Sequence, residues 1–172
     1  MREVNFGNDG DYSTKSVVTR INSDLANDLG NLLNRTLGMY KKYFGGVVTN
    51  GTTRDKYDDE IETLWTEVVK EVDEQMNIVQ YSKALEAIWK FISRLNKYID
   101  ETAPWTLAKD EANRDRLAVV MNHLIDGLYK SAVMVYPYMP TSAQKIWNQL
   151  GESKDIHTAK IEEVMGWNLL KE

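Results

Sequence analysis

Three polar side chains follow one another at helical spacing near the start of the chain: Asn27, Asn31 and Arg35. Side chains four residues apart lie one turn apart on the same face of an α-helix, so this spacing predicts a polar row. Asparagine offers both a hydrogen-bond donor and an acceptor, and arginine offers a fork of donors. Together these groups can read the edge of a nucleobase. Asparagine is a poor helix former, so helix propensity does not explain the row.

A tryptophan that directly follows a proline is the second candidate for a functional role. Pro104 should end the helix before it, because the residue preceding a proline is pushed out of the helical region. Trp105 therefore lies on no helical stripe, whereas Trp65 and Trp89 lie on apolar stripes and are predicted core residues. Trp105 could pack in the core or at its rim. Alternatively, it could be a stacking platform held by Pro104.

The elements that must position these residues are helices. The first predicted helix covers residues 13–43, contains no proline and carries an apolar stripe at helical spacing. Four more are predicted at about 55–76, 80–101, 111–136 and 141–150. In the last one, Thr141 and Gln144 have the spacing of a capping box. Since no strand pattern is convincing, the sequence predicts an all-α fold, an antiparallel bundle of about five helices with short connections.

Composition restricts the function classes. At 172 residues the chain suits one domain, and the absence of cysteine excludes disulfides and thiol chemistry, as is common in the cytosol. No apolar run approaches the ~18 residues of a membrane span. The net charge of −5 argues against binding nucleic acid over the whole surface. A local basic patch remains possible, and an acidic run at 55–74 is predicted to be a solvated helix face. The patch would be formed by Arg35, Lys41, Lys42, Arg94 and Lys97.

Catalytic signatures are missing from the sequence. The two histidines, His123 and His157, do not form a Glu-x-x-His metal motif, so a di-iron helix bundle is not supported. His123 lies within a predicted helix and is interpreted as a packing or capping residue. No glycine-rich phosphate loop is present. The chain itself is therefore predicted to be non-catalytic and to need no metal or cofactor.

Several segments together resemble one enzyme family, the methionyl-tRNA synthetases. The resemblance rests on residues 2–13, 22–35, 96–105, 136–140 and 146–147, and it extends over essentially the whole chain. It implies that residues 13–172 form the helical anticodon-binding domain of a class I aminoacyl-tRNA synthetase. Residues 1–12 would then be a segment that leads in from the catalytic domain.

The resemblance also implies roles for the two candidate groups. In this family the bundle reads the CAU anticodon of methionine tRNA, and the Trp of an Ala-Pro-Trp sequence stacks under the first anticodon base. That role maps onto Trp105, with Pro104 as its support. The family's Asn and Arg at i and i+4 recognise anticodon bases, and these roles map onto Asn31 and Arg35. Asn27 would be a neighbour one turn earlier. The expected partners are the anticodon loop of methionine-accepting tRNA and the parent catalytic domain.

The family's catalytic motifs are absent: we find no His-Ile-Gly-His type motif, no Lys-Met-Ser-Lys-Ser loop and no zinc-binding cysteines. The resemblance thus implies a piece of a cytoplasmic, ATP-dependent methionine–tRNA ligase, whose ATP, Mg and methionine would bind in the catalytic domain. The alternative is a stand-alone helical domain of the same fold, in which the asparagine row packs against another protein as an interaction or scaffold surface. Neither DNA nor a membrane is an expected partner.

Overall fold

The computed structural model describes residues 21–47, 49–167 and 169, and the regular secondary structure of these residues is entirely helical. The predicted leading segment 1–12 and the first residues of the first predicted helix lie outside this part. The described elements are a π-helical segment (Ile21–Gly30), α1 (Asn31–Phe44), α2 (Lys56–Asn77), α3 (Tyr81–Thr102), α4 (Pro104–Leu107), α5 (Arg114–Val135) and α6 (Pro140–Gln149). Short 3₁₀ turns lie at Glu111–Asn113, Ile156–Thr158 and Ile161–Val164. The prediction of an all-α fold with five main helices is confirmed.

The bundle is built around α5. Almost all of its residues from Leu117 onward are buried, so it is the central helix, and α1, α3 and α6 each pack against it. A helix that is buried on all sides is the expected centre of such a core. The pair α2 and α3 forms a helical hairpin joined by a short turn in which Val79 has a positive φ of 62°. None of the described helices is long and apolar enough to cross a membrane.

The first predicted helix differs from expectation. Its described part begins as a π-helix and becomes an α-helix only at Asn31. Gly30 lies at the junction, where a Cβ atom would be 3.0 Å from the carbonyl oxygen of Leu25. Glycine accommodates this close approach, which follows from the wider turn of the π-helix. The end of α1 agrees with the prediction, because Gly45 closes it in the left-handed conformation with a φ of 63°.

The acidic run on α2 is only partly the solvated face that was predicted. Asp55 and Asp58 form a capping box at the start of the helix, and Asp58 is completely buried. The Asp58 carboxylate accepts hydrogen bonds from Tyr98 of α3 and from both terminal nitrogens of Arg116, at 2.7 and 3.1 Å. This cluster joins α2, α3 and the start of α5. Exposed acids occupy the second half of the run, including Glu67, Glu71, Asp73 and Glu74.

The predicted capping box at Thr141 and Gln144 is wrong. Helix α6 begins at Pro140, and no side chain caps it. Proline has no N–H to satisfy at the first helical position, so it can start the helix without such a cap. Gln144 instead accepts a 2.8 Å hydrogen bond from the backbone N–H of Ile156, and thereby fastens the segment that follows α6.

The C-terminal segment folds back onto α5 through a buried lysine. Lys130 is fully buried, and its Nζ donates hydrogen bonds to the carbonyl oxygens of Val164, at 2.8 Å, and Gly166. The same Nζ lies 4.3 Å from the centre of the Trp167 ring. The ring of His123 stacks on the ring of Trp167, with 4.9 Å between their centres. Its Nε2 lies 2.9 Å from Oε1 of Glu62. The interpretation of His123 as a packing residue agrees with this arrangement.

Candidate nucleic-acid interface

Trp105 lies at a sharp corner between α3 and α4. Ala103 has a left-handed φ of 43°, and its N–H still bonds to the carbonyl oxygen of Ile99 at 3.0 Å. Pro104 is buried and begins α4, while Trp105 leaves 44% of its surface exposed. A buried proline in front of an exposed indole fixes the backbone on which the ring stands. The ring is thus a rigid aromatic surface that faces solvent.

Arg35 reaches this corner from α1. Its Nη2 lies 2.7 Å from Oδ1 of Asp100, in the last turn of α3 and five residues before Trp105. Both side chains are partly open to solvent, with 31% of the Arg35 side chain and 65% of the Asp100 side chain exposed. The ion pair holds the guanidinium beside the corner, while its other donors remain available to a ligand.

The far end of α1 meets the chain again after the corner. Lys42 and Tyr43 line a cleft of about 200 Å³ together with residues from 107 to 117, and Arg114 donates a 3.4 Å hydrogen bond to the carbonyl oxygen of Tyr43. Helix α1 therefore contacts the chain both before Trp105, at Asp100, and after it. The segments that flank Trp105 in the chain are thus both held by α1.

The two asparagines of the predicted row are exposed, but they belong to different helices. Asn31 is the first residue of α1 and lies one turn before Arg35, as the spacing predicts. Asn27 lies in the π-helical segment, where a turn takes more residues, so the four-residue spacing no longer aligns it with Asn31. The side chains of Asn27, Asn31 and Trp105 make no hydrogen bond to another described residue.

The structure also adds two residues that the row alone does not identify. Asn96 of α3 donates a 3.1 Å hydrogen bond to the carbonyl oxygen of Asp28 and thereby fixes the π-helical segment against α3. Asp100 fixes Arg35. Both residues lie in segment 96–105, which carries part of the family resemblance. That resemblance was the one sign in the sequence that they belong to the site. Their pairing with the first helix depends on the fold, because more than sixty residues separate the partners.

The predicted basic patch is smaller than its sequence suggests. Arg94 is largely buried and binds Glu60 and Glu101, each at 2.8 Å, while Lys97 lies 3.3 Å from Glu101. These two cations are thus committed to acids of α2 and α3. Lys41 and Lys42 of α1 are exposed and form no ion pair with a described residue. The available positive charge is therefore at the C-terminal end of α1.

Two family models match the chain. The model described as the anticodon-binding domain of tRNA ligase matches residues 58–170, and the model of class I tRNA synthetases (M) matches residues 1–37.

Individual proteins show the same similarity. The chain is 62% identical over its whole length to the methionine–tRNA ligase of Fusobacterium nucleatum subsp. nucleatum, covering 27% of that protein. It is 45% identical, again over its whole length, to the methionine–tRNA ligase of Caldanaerobacter subterraneus subsp. tengcongensis, covering 26% of it. The chain thus spans about a quarter of the length of these curated relatives.

A solved structure matches the fold. The Mycobacterium tuberculosis methionyl-tRNA synthetase in complex with methionyl-adenylate superimposes with a TM-score of 0.84 and 37% sequence identity. The match covers 88% of this chain and 30% of that chain.

Proposed function

Because this chain belongs to the anticodon-binding domain family of tRNA ligases, we propose that it binds the CAU anticodon loop of methionine tRNA. It would do so as part of a cytoplasmic methionine–tRNA ligase. Aminoacylation, with ATP, Mg and methionine, would take place in a catalytic domain that residues 1–12 connect to the bundle of residues 13–172. The bundle's own contribution is binding and orientation of the tRNA.

One observation carries this proposal: α1 contacts the chain on both sides of the exposed Trp105. The Arg35–Asp100 ion pair lies before the tryptophan, and the Lys42 cleft lies after it. Helix α1, which carries the fork of donors and the exposed lysines, is thus held to the chain on either side of the flat aromatic ring. Specific RNA recognition most often uses splayed-out loop bases that stack on aromatic rings and are hydrogen-bonded on their edges. Helix α1 and Trp105 together supply both kinds of contact.

Each candidate residue then has a distinct role. Trp105 stacks under the first anticodon base, and Pro104 keeps its backbone in place. Asn31 and Arg35 form hydrogen bonds to base edges, since their polar groups face solvent beside the corner. Asn27 is a neighbouring contact from the π-helical segment rather than a third member of one straight row.

The alternative of a scaffold domain has less support. Docking surfaces for proteins are commonly contiguous apolar patches of several hundred Å². In the described part of the chain the exposed large apolar residues are Val47, Ile78, Val79 and Trp105, and they lie at three separate places, two connections and α4. This distribution favours RNA over an apolar partner.

The test is Trp105→Ala in the full-length ligase. A stacking platform is worth roughly 1–3 kcal/mol per base, so aminoacylation efficiency with methionine tRNA should fall by about 5- to 150-fold. ATP–pyrophosphate exchange, which measures methionine activation without tRNA, should remain nearly unchanged because that reaction does not use the bound anticodon.

Trp105→Phe is the matched control, because it keeps an aromatic ring and should retain most of the efficiency. Unchanged aminoacylation by the alanine variant would contradict the stacking role. An equal loss in the exchange reaction would indicate damage to the whole protein instead.

A further inference from the structure

Two glycines lie inside the α-helices of the described bundle, and only one of them is required by packing against described residues. Gly127 of α5 faces α3, where a Cβ atom would lie 2.6 Å from the side chain of Leu95. Close helix packing therefore requires glycine there. Gly38 of α1 is exposed, and a Cβ atom there would have no described atom within 4 Å. Alanine would fit at Gly38 without displacing any described atom.

Glycine at such a position weakens the helix, because it has more backbone freedom to lose than alanine on folding. The C-cap of α1 gives no reason for it either, since Gly45 performs that function seven residues later. Gly38 thus weakens α1 without improving any described internal contact. Close approach of a ligand to the helix backbone is a physical reason for glycine at such a site.

The position of Gly38 indicates the ligand. In an α-helix with 100° per residue, Asn31, Arg35, Gly38 and Lys42 fall within one narrow sector of the surface. Gly38 lies one turn after Arg35 and one turn before Lys42. The sector opposes the buried side of α1, formed by Leu32, Thr36, Tyr40 and Phe44. A position without a side chain is thus flanked by the guanidinium of Arg35 and by the exposed ammonium of Lys42.

We propose that the sugar–phosphate backbone of the bound RNA loop crosses α1 at Gly38, with a phosphate next to Lys42. The inference rests on the proposed function, because Arg35 can read a base only if the loop lies on this face. The missing Cβ lets the ribose approach the helix backbone, and the approach brings the next phosphate within reach of the Lys42 ammonium. Gly38 is then a positioning residue for the RNA.

The experiment compares Gly38→Ala with Thr66→Ala in the full-length protein. Thr66 is exposed in the middle of α2, so alanine should improve helix propensity at both sites. Both variants should raise Tm slightly, on the order of 2–4 °C or less. Methionine tRNA should bind about tenfold more weakly to Gly38→Ala, a loss of 1.4 kcal/mol, and with unchanged affinity to Thr66→Ala.

Salt dependence provides the second measurement. In Lys42→Gln, the slope of log affinity against log salt concentration should decrease by about 0.7, the value for one phosphate contact on single-stranded nucleic acid. An unchanged slope would overturn the placement of a phosphate at Lys42.

Trp105→Ala separates this inference from the function on which it rests. If Trp105→Ala weakens tRNA binding and Gly38→Ala does not, the anticodon function stands and the inference about Gly38 is wrong. If neither variant weakens binding, both are wrong. A fall in Tm for Gly38→Ala would also overturn the inference, because it would reveal an internal reason for the glycine.

Discussion

The two polar regions of this bundle differ in where their partners are. In the interior, Asp58 is fully buried and receives hydrogen bonds from Tyr98, Arg116 and the backbone of Asp55. At the Trp105 corner, Asn31 and Trp105 are exposed and bond to no described side chain, and Arg35 has a single partner. Internal partners make a polar group structural, whereas exposed polar groups beside a rigid ring are available to a ligand. Substitutions in the two regions should therefore affect different measurements.

The largest expected effect on stability is that of Asp58→Asn. In this variant Arg116 keeps an ion pair only with the partly exposed Asp55, at 2.9 Å, and Tyr98 loses a charged acceptor, so the free energy of unfolding should fall by about 2 kcal/mol. The matched control is Asp59→Asn, one residue further on. Asp59 pairs with Arg54 at 2.8 Å, but 72% of its side chain is exposed, so the loss there should be below about 1 kcal/mol. Urea denaturation measures both, and equal losses would contradict the division into interior and surface roles.

The same aspartate should make stability sensitive to acid. Burial would raise its pKa, but hydrogen bonds from Tyr98, the Asp55 backbone and Arg116 outweigh this and lower the pKa of Asp58. A carboxyl whose folded-state pKa is lowered stabilises the protein above its unfolded value of about 3.9. That contribution is lost as pH falls through the lower, folded-state pKa. In Asp58→Asn the free energy of unfolding should therefore depend less on pH in this acidic range, which urea denaturation at several pH values measures.

Lys130 should produce an effect of intermediate size in the alkaline range. Burial lowers the pKa of Lys130 to about 8, although the nearby acids Asp126 and Glu62 partly oppose the shift. The unfolded chain, with a lysine pKa of about 10.4, binds more protons between these values, so stability should rise with pH by up to about 1.4 kcal/mol per unit. The measurement compares the free energy of unfolding at pH 8 with that at pH 9.5. In Lys130→Met the increase in stability between these pH values should disappear. If the increase persists in this variant, groups other than Lys130 cause it.

The smallest stability effect is expected for Arg35→Gln, at the corner. An ion pair with both side chains partly exposed contributes about 0–1 kcal/mol, so Tm should hardly change. Binding of methionine tRNA should nevertheless weaken, because a donor fork at the base edge is lost. Thermal melting and tRNA titration of the same preparation separate the two results. A large fall in Tm would make Arg35 structural and remove the contrast between the regions.

Helical periodicity was sufficient to predict most of the fold. The predicted helices at 55–76, 80–101 and 111–136 correspond to α2, α3 and the 3₁₀ turn with α5, because their apolar stripes and the proline at 104 depend only on local sequence. The π-helical start of the first helix could not be predicted in this way. A stripe of leucines is compatible with either kind of turn, and the contact from Asn96 of α3 to this segment joins residues that are distant in the sequence.

Site prediction had the same limit. The types and spacing of Asn31, Arg35 and Trp105 were visible in the sequence, and their roles in RNA binding stay predictions. The sequence did not show which charged side chains are free to contact a ligand and which are paired within the bundle. Arg94 looks like a surface cation in the sequence, yet two glutamates on different helices bind it. Asp58 looks like one acid in a solvated run, yet it is buried. Such pairings depend on contacts between distant parts of the chain.

The solvent exposure of Trp105 has an optical consequence. Of the five tryptophans, Trp65, Trp89 and Trp147 are buried and Trp167 is partly covered by its stacking on His123. The indole of Trp105 should therefore emit at longer wavelength than the other four and be the one most readily quenched by acrylamide. A base stacked on it would shield it from the quencher. The platform would then report its own occupancy by intrinsic fluorescence, without any attached dye.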